Sequence, residues 1–412
     1  MRPRRGLLGA AAVVFAAVAL GPTAGRAAAA PPPIAAPEAI LVEPQTQDVV
    51  FDRHASVRRP IASTTKLMTA LLTLENAKLT DIFAAAPYSP SAGESLMGLR
   101  AGERLTVADL LRGLLIVSAN DAANTLAIDI AGSRRRFVAM MNRRAGELGL
   151  RDTHYANPVG LDQPGNYSTA ADLVKLTLVL RQHAFFRRTT DMATATLRSG
   201  ARVRHLVNRN DLVREVPIVD GVKTGHTNGA GYVLVGSATR AGVTVISAVL
   251  GDSSEATRDS DSLRLLRYGL ARYRRVTALR RGAVLTRAAL KYRDEHVDLV
   301  AARTVLRVVR RDEQIHARIV GAPTEIEGPL DAGARVGTVE VRQRGRVVAR
   351  VPLVTARAVS APTLGQRASD YLRRGSTRAV LVLLALCSLY LGLMRRRSAR
   401  RRNGAEGHGL AS

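Results

Sequence analysis

The chain has 412 residues, a hydrophobic share of 46% and a formal net charge of +27, enough for two or three domains with sizeable cores. Aromatic residues make up only 4% and tryptophan is absent, so the positive charge comes without a stacking platform for single-stranded nucleic acid, and no recognition-helix or zinc-finger spacing serves a duplex. One cysteine, Cys387, and eight scattered histidines exclude an intrachain disulfide and a cysteine or histidine metal site, which leaves an anionic surface, membrane lipid or cell-wall polymer, as the partner for the charge.

In chain order, residues 1–30 read as a secretion signal. Arg2, Arg4 and Arg5 are followed by an apolar stretch from Leu7 to Leu20 and by small residues from Ala24 to Ala30, which offer several cleavage sites. Ala39-Ile-Leu-Val-Glu and Asp48-Val-Val-Phe-Asp flank Pro44-Gln-Thr-Gln and predict a strand pair. Pro60 and Ser63, followed by Leu67, Met68, Leu71, Leu72 and Leu74, predict the start of a buried helix. Helical patterns recur over 107–117, 122–130, 134–148 and 169–183, with a Gly/Pro/Asn loop from Asn157 to Asn166. Strand signals return over 216–222, 231–238 and 243–250, and a helix over 258–273 closes the segment.

Strands, then helices, then strands, then a helix fit an α+β domain over 31–275. Its sheet is assembled from both ends of the segment, with a helical block inserted. Short β-rich runs over 276–357 predict a small all-β domain, and 358–377 reads as a linker. Residues 378–394 are almost continuously apolar and predict a transmembrane helix. A helix lying on the membrane surface would need a polar face, and this run has almost none. Arginines in the tail, 395–412, place that end in the cytoplasm. The chain is therefore expected in the cell membrane, single-pass, with its folded part on the extracytoplasmic face.

Lysine usage singles out one stretch. Only Lys66, Lys78, Lys175, Lys223 and Lys291 are lysines, and arginine supplies the rest of the positive charge. Arginine does not deprotonate in a protein, whereas a buried lysine serves as a base. Ser63 and Lys66 stand three residues apart, on one face of the predicted helix and near its positive end. That pairing suits a hydroxyl nucleophile with an amine to take its proton. The plainer alternative is a capping serine followed by a solvated lysine.

Three short motifs occur in order: Ser63-x-x-Lys66, Ser118-Ala119-Asn120 and Lys223-Thr224-Gly225. They correspond to elements found in penicillin-recognising serine enzymes. Together with Ala62-Ser-Thr-Thr-Lys-Leu-Met-Thr-Ala, Ser118-Ala-Asn-Asp-Ala, Asn157-Pro-Val-Gly-Leu-Asp and Val219-Asp-Gly-Val-Lys-Thr-Gly-His-Thr, they give the stretch from Ala39 to Arg275 its resemblance. It resembles the low-molecular-weight penicillin-binding proteins, the serine-type D-Ala-D-Ala carboxypeptidases. The β-rich segment resembles that family's second domain more loosely, through Gly328-Pro-Leu-Asp-Ala-Gly and Val347-Val-Ala-Arg-Val-Pro-Leu-Val.

The resemblance implies a β-lactamase/transpeptidase-like fold for the catalytic domain and a role for each matched residue. Ser63 would attack the carbonyl between the last two D-alanines, with Lys66, held neutral, as the base. Ser118 would pass a proton to the leaving amine, and Asn120 would hold a substrate carbonyl. Lys223, Thr224 and Gly225 would form the wall for the terminal carboxylate, with Arg258 as a further cation. The backbone N–H groups of Ser63 and His226 would form the oxyanion hole.

The implied partners are a peptidoglycan stem peptide and β-lactams as covalent inhibitors, with no metal and no cofactor. A D,D-endopeptidase and a serine β-lactamase remain alternatives of the same fold. Many β-lactamases activate water with a glutamate, and the Asn157 loop carries Asp162 but no glutamate. A non-catalytic wall-binding scaffold is the alternative of a different class, and it would expect a broken motif where all three are intact. Singly, Ser118-Ala-Asn reads equally as a helix cap, Lys223-Thr-Gly as a hairpin end and Arg258 as a surface residue.

Overall fold

The computed structural model describes residues 30–373 and 375–405. The expected secretion signal, but for its last residue, lies outside them. One compact unit holds the described chain up to Val276 together with Arg307–Glu313; the other holds Thr277–Leu306 and the chain from Gln314 onward.

The first unit opens with the expected strand pair, β1 (Glu38–Glu43) and β2 (Asp48–Arg53). A 3-10 turn, Ala62–Thr65, runs directly into α1 (Lys66–Asn76). Then come β3 (Ile82–Ala84), β4 (Arg104–Thr106), and helices α2 (Val107–Ile116), α3 (Asn120–Ala131), α4 (Arg134–Glu147), α5 (Ala170–Leu180) and α6 (Ala184–Thr190). A short hairpin, β5 (Thr194–Leu197) with β6 (Arg204–Val207), and α7 (Asp211–Glu215) lead to β7 (Val219–Thr227), β8 (Gly231–Arg240), β9 (Val243–Asp252) and α8 (Glu255–Arg272).

The five-stranded sheet has the order β2-β1-β9-β8-β7, antiparallel throughout. Alternate side chains of a strand face opposite ways. On β9, Ile246, Ala248 and Leu250 join the core made with the helical block, whereas Val245 and Val249 join Leu265, Leu266 and Leu270 of α8. The continuous apolar run of β9 is therefore that of a strand covered on both faces. β7 is left at the sheet edge.

The unit departs from the sequence reading at several points. The 3-10 turn replaces the first turn of the expected helix. β7 begins three residues later than expected and runs through Lys223, Thr224 and Gly225 instead of ending before them. The β5–β6 hairpin was not expected, because its runs are short and carry Arg204. That arginine turns inward to meet Glu103: Nη2 lies 2.7 Å from Oε2 and Nη1 2.9 Å from Oε1, with both side chains buried. Arg204 also donates to the carbonyls of Met97 and Gly98, tying the 94–99 loop to the hairpin. These bonds and the guanidinium charge hold the Glu103 carboxyl down at about 2.

In the following stretch β10 (Tyr273–Leu279) pairs with β13 (Val305–Arg310). The second unit is built on β11 (Val284–Leu290), β12 (His296–Ala301), β14 (Ile315–Val320), β15 (Glu325–Ile326), β16 (Arg335–Gln343) and β17 (Arg346–Thr355). They form a six-stranded sheet, order β14-β16-β17-β12-β11-β15, around Ala288, Leu290, Val297, Leu299, Val339, Val341, Val351 and Leu353. The segment expected to be a linker contains α9 (Leu364–Arg373). Beyond it α10 (Gly375–Ala405) includes a 24-residue stretch, Gly375–Ser398, long and apolar enough to cross a membrane. At about 1.5 Å per residue it exceeds the roughly 30 Å hydrocarbon thickness. The helix outruns the apolar run because arginine continues a helix well.

The Arg204–Glu103 pair gives a stability prediction. Arg204→Met leaves a buried carboxylate uncompensated and is expected to cost about 3–5 kcal/mol, whereas Arg204→Met combined with Glu103→Leu recovers most of the loss. Thermal unfolding of the two variants checks this, and a single variant that melts with the wild type refutes it.

Candidate active site

The Ser63 segment is held in an unusual backbone. Ala62 has φ +46°, a left-handed value that costs a residue with a Cβ. Both the N–H and the hydroxyl of Thr64 bond the Ile61 carbonyl, which closes the turn. In a 3-10 turn residues three apart eclipse one another, so Lys66 comes over Ser63. Its Nζ lies 2.9 Å from Ser63 Oγ and 2.5 Å from the Val159 carbonyl oxygen. Ser63 is half-buried, whereas Lys66 has 0% exposure, so the capping serine with a solvated lysine is not what forms.

Burial first, then the charge of Arg209, lowers the Lys66 amine to about 7, against opposing pulls from Glu94 and Asp121. A neutral amine donates one N–H to Val159 and keeps a lone pair for the Ser63 O–H. Glycine is required where Val159 reaches in. Gly160 has φ +89°, and a Cβ there would stand 2.0 Å from the Ala62 carbonyl oxygen.

The second motif lies on the bend between α2 and α3. Ser118 adopts φ +61°, is buried, and its Oγ has no hydrogen-bond partner. Asn120 opens α3, and its Nδ2 donates to Glu94 Oε2 at 2.6 Å. Glu94 also pulls on Lys66 electrostatically, so this carboxylate links the second motif to the first.

The third motif lies on the edge strand β7, and strand and turn approach closely. A Cβ at Gly225 would stand 2.8 Å from the Ser63 nitrogen. Lys223 is buried, with Nζ 2.7 Å from the Thr224 carbonyl oxygen. Burial, then the charges of Lys66, Arg209 and Arg258, push its amine well below the usual lysine value. Thr224 is buried, and His226 is exposed with its ring stacked on Tyr232 at 4.1 Å. Arg258 is not a surface residue: at 2% side-chain exposure it ion-pairs with Glu255 at 2.9 Å and Asp259 at 2.8 Å. Its charge reaches Lys223 but is shared with those carboxylates.

Asp162 of the Asn157 loop accepts from Thr227 Oγ1 and the Gly229 N–H. It fastens that loop to the β7–β8 turn. Among the described residues no group of three or more His, Cys, Asp or Glu is arranged to hold a metal.

Two charged groups of the site carried no signal in the sequence. Arg209 is one arginine among many; it is exposed and acts on both lysines. Glu94 lies in a Ser/Pro/Gly loop outside every motif. Only their distance from Lys66 in space reveals them.

With this geometry in hand, the comparisons with known proteins agree. The family profile described as D-alanyl-D-alanine carboxypeptidase matches residues 25–254, and that of the penicillin-binding protein 5 C-terminal domain matches residues 273–361. The chain is 35% identical to the Escherichia coli D-alanyl-D-alanine carboxypeptidase DacD over 83% of its own length and 91% of that protein's. Its structure is similar to penicillin binding protein 5 from Haemophilus influenzae, with TM-score 0.58, 29% identity, and coverage of 81% of this chain and 99% of that one. A Streptomyces DD-transpeptidase aligns with TM-score 0.56 and 32% identity, covering 59% of this chain and 100% of that one.

Beside Arg258, Asp252 is buried and neither carboxyl oxygen has a hydrogen-bond partner. Burial and then the Asp261 charge raise its carboxyl from 3.8 to about 7, with Arg258 opposing. A folded-state value above the unfolded one means that stability falls as pH rises from about 4 to 7. Asp252→Asn removes that loss. Its melting temperature is expected to gain on the wild type between pH 5 and pH 8, and an equal difference at both pH values refutes the assignment.

Proposed function

The chain belongs to the D-alanyl-D-alanine carboxypeptidase family, and on that premise we propose that Ser63 forms the acyl-enzyme by which it removes the terminal D-alanine of a peptidoglycan stem peptide. The enzyme is a serine-type hydrolase of penicillin-binding fold. The observation that carries the assignment is the fully buried Lys66 amine, 2.9 Å from Ser63 Oγ and lowered to about 7. A base is most effective when its pKa lies near the working pH.

In the proposed sequence Lys66 takes the Ser63 proton as Oγ bonds the carbonyl carbon of the penultimate D-alanine. The oxygen that gains the charge is held by the N–H groups of Ser63 and His226. The intermediate collapses, the C–N bond breaks, and the D-alanine nitrogen receives the proton from Lys66 through Ser118 Oγ. Water then attacks the ester, the hydroxyl forms on the stem peptide, and Ser63 regains its proton.

Asn120 holds a carbonyl on the acyl side. Lys223 and Thr224 hold the free carboxylate, with Gly225 allowing the strand to approach Ser63. Arg209 adds an exposed cation to that wall, and Arg258 acts from behind it. Lys223 supports this reading because its amine lies among cations with no carboxylate of its own. An anionic substrate end supplies the missing charge.

The engagement of Asp162 with Thr227 and Gly229 favours a carboxypeptidase over a β-lactamase, since the loop lacks a carboxylate committed to water. β-Lactams would acylate Ser63 by the same route. The helix Gly375–Ser398, followed by arginines, supports a single-pass membrane anchor with the catalytic unit outside the cell.

The test is release of D-alanine from a stem pentapeptide by the full chain in detergent. Ser63→Ala is expected to abolish it. Release undiminished in that variant would end the proposal. Lys66→Arg keeps the charge but offers no lone pair, and kcat/KM is expected to fall about 10²–10⁴-fold. In the wild type, kcat/KM is expected to rise with pH up to about 7 and level off above it, because only the neutral amine serves as base. A profile flat from pH 5 to 9 would rule Lys66 out as that base.

A further inference from the structure

We propose that Glu94 is a positioning residue for this reaction: its carboxylate fixes the orientation of the Asn120 amide and places a negative charge beside Lys66. The proposal rests on the reading of Ser63, Lys66 and Asn120 given above and extends it to a loop that no motif covers.

The orientation follows from donor and acceptor chemistry. An ionised carboxylate only accepts. With Glu94 Oε2 at 2.6 Å, the near end of the Asn120 amide has to be Nδ2. Its far end is then Oδ1, which is buried and has no partner. A carbonyl oxygen buried without a donor is costly. Here it is an uncommitted acceptor of the site, available to an N–H of the bound peptide or to the Lys66 ammonium.

Glu94 is itself firmly held. Its Oε1 accepts from the Ser91 N–H at 2.8 Å, and the Tyr88 hydroxyl donates to Oε2. Downstream, Asp121 accepts from the N–H groups of Met97 and Leu99, the Asn120 N–H bonds the Ser95 carbonyl, and Arg204 donates to the carbonyls of Met97 and Gly98. The loop is thus tied both to α3 and to the β5–β6 hairpin.

The charge acts on the base. Burial opposes ionisation of Glu94, but the bonds from Tyr88, Asn120 and Ser91 and the charge of Lys66 hold its carboxyl below the usual value. Lys66 faces Glu94 from the loop, Asp121 from α3, Arg209 from the segment before α7, and Lys223 from β7. The two carboxylates favour its ammonium and Arg209 opposes it. The ammonium is what forms when Ser63 gives up its proton, so Glu94 stabilises that state. A loop staple alone would affect folding but would not shift the pH at which Lys66 works.

The experiment measures the second-order rate of acylation of the full chain by a fluorescent penicillin from pH 5 to pH 9. Glu94→Gln keeps an acceptor for Asn120 without the charge, and Glu94→Ala removes both. Both variants are expected to move the acid limb of the profile to lower pH. The Gln plateau falls less than the Ala plateau, because a neutral acceptor still holds the Asn120 amide. The Ala plateau falls about tenfold or more, because the Asn120 amide is free to turn.

Acid limbs unmoved in both variants would overturn the role of the charge, and an Ala plateau equal to the wild type would overturn the positioning. A plateau loss in both variants, with unmoved limbs and lowered melting temperatures, identifies a structural staple and overturns both. If Glu94→Ala fails to fold, the acid limb of Glu94→Gln decides. Labelling of Ser63→Ala at the wild-type rate would instead refute the underlying reading, separately from Glu94.

Discussion

A lysine amine fully removed from water is the constraint on which this active site depends. Burial of an ammonium without a paired anion is strongly unfavourable, and the chain accepts the consequence by letting Lys66 give up its proton. Much of the surrounding architecture follows. The Val159 carbonyl needs an amine N–H to bond, so the 157–163 loop has to enter beneath the turn. Gly160 has to lack a Cβ to let it in, and Ala62 has to bend backwards to bring Ser63 over the amine. The 3-10 turn presents Ser63, and the edge strand β7 closes on it through Gly225.

The legible parts of the chain were those with local causes. Apolar period and turn residues marked β1, β2, α1 to α5, α8 and the long apolar helix, because each depends on neighbours in sequence. Ser63, Lys66 and Lys223 stood out because lysine is rare here and because three motifs kept their order. The β5–β6 hairpin was illegible because Arg204 sits inside it, and an arginine faces inward only when a distant Glu103 is there to receive it. Glu94 and Arg209 were illegible for a related reason. Their effect on Lys66 is exerted through space, from segments far away in the sequence. Arg258 was read as a cation near the substrate; its burial and its two carboxylate partners were not readable from its position on α8.

The electrostatics of the pocket are unbalanced in a directed way. Lys223 has cations around it, and Thr224 offers a hydroxyl next to them. Positive potential without a local counterion favours an anion over a neutral end group. The free carboxylate of a peptide terminus meets that condition, whereas an internal peptide bond does not. On the proposed roles of Lys223 and Thr224, selectivity for a chain end is set by charge before any shape is considered.

The scarcity of lysine has a consequence at the scale of the whole molecule. Arginine holds its proton at any pH a cell envelope meets, so the arginine share of this protein's positive charge does not vary with acidity. Lys66 and Asp252 are buried groups that do respond near neutrality. On the proposed role of Lys66, acidification leaves the arginine charge that faces anionic surroundings in place while it withdraws the lone pair of the base.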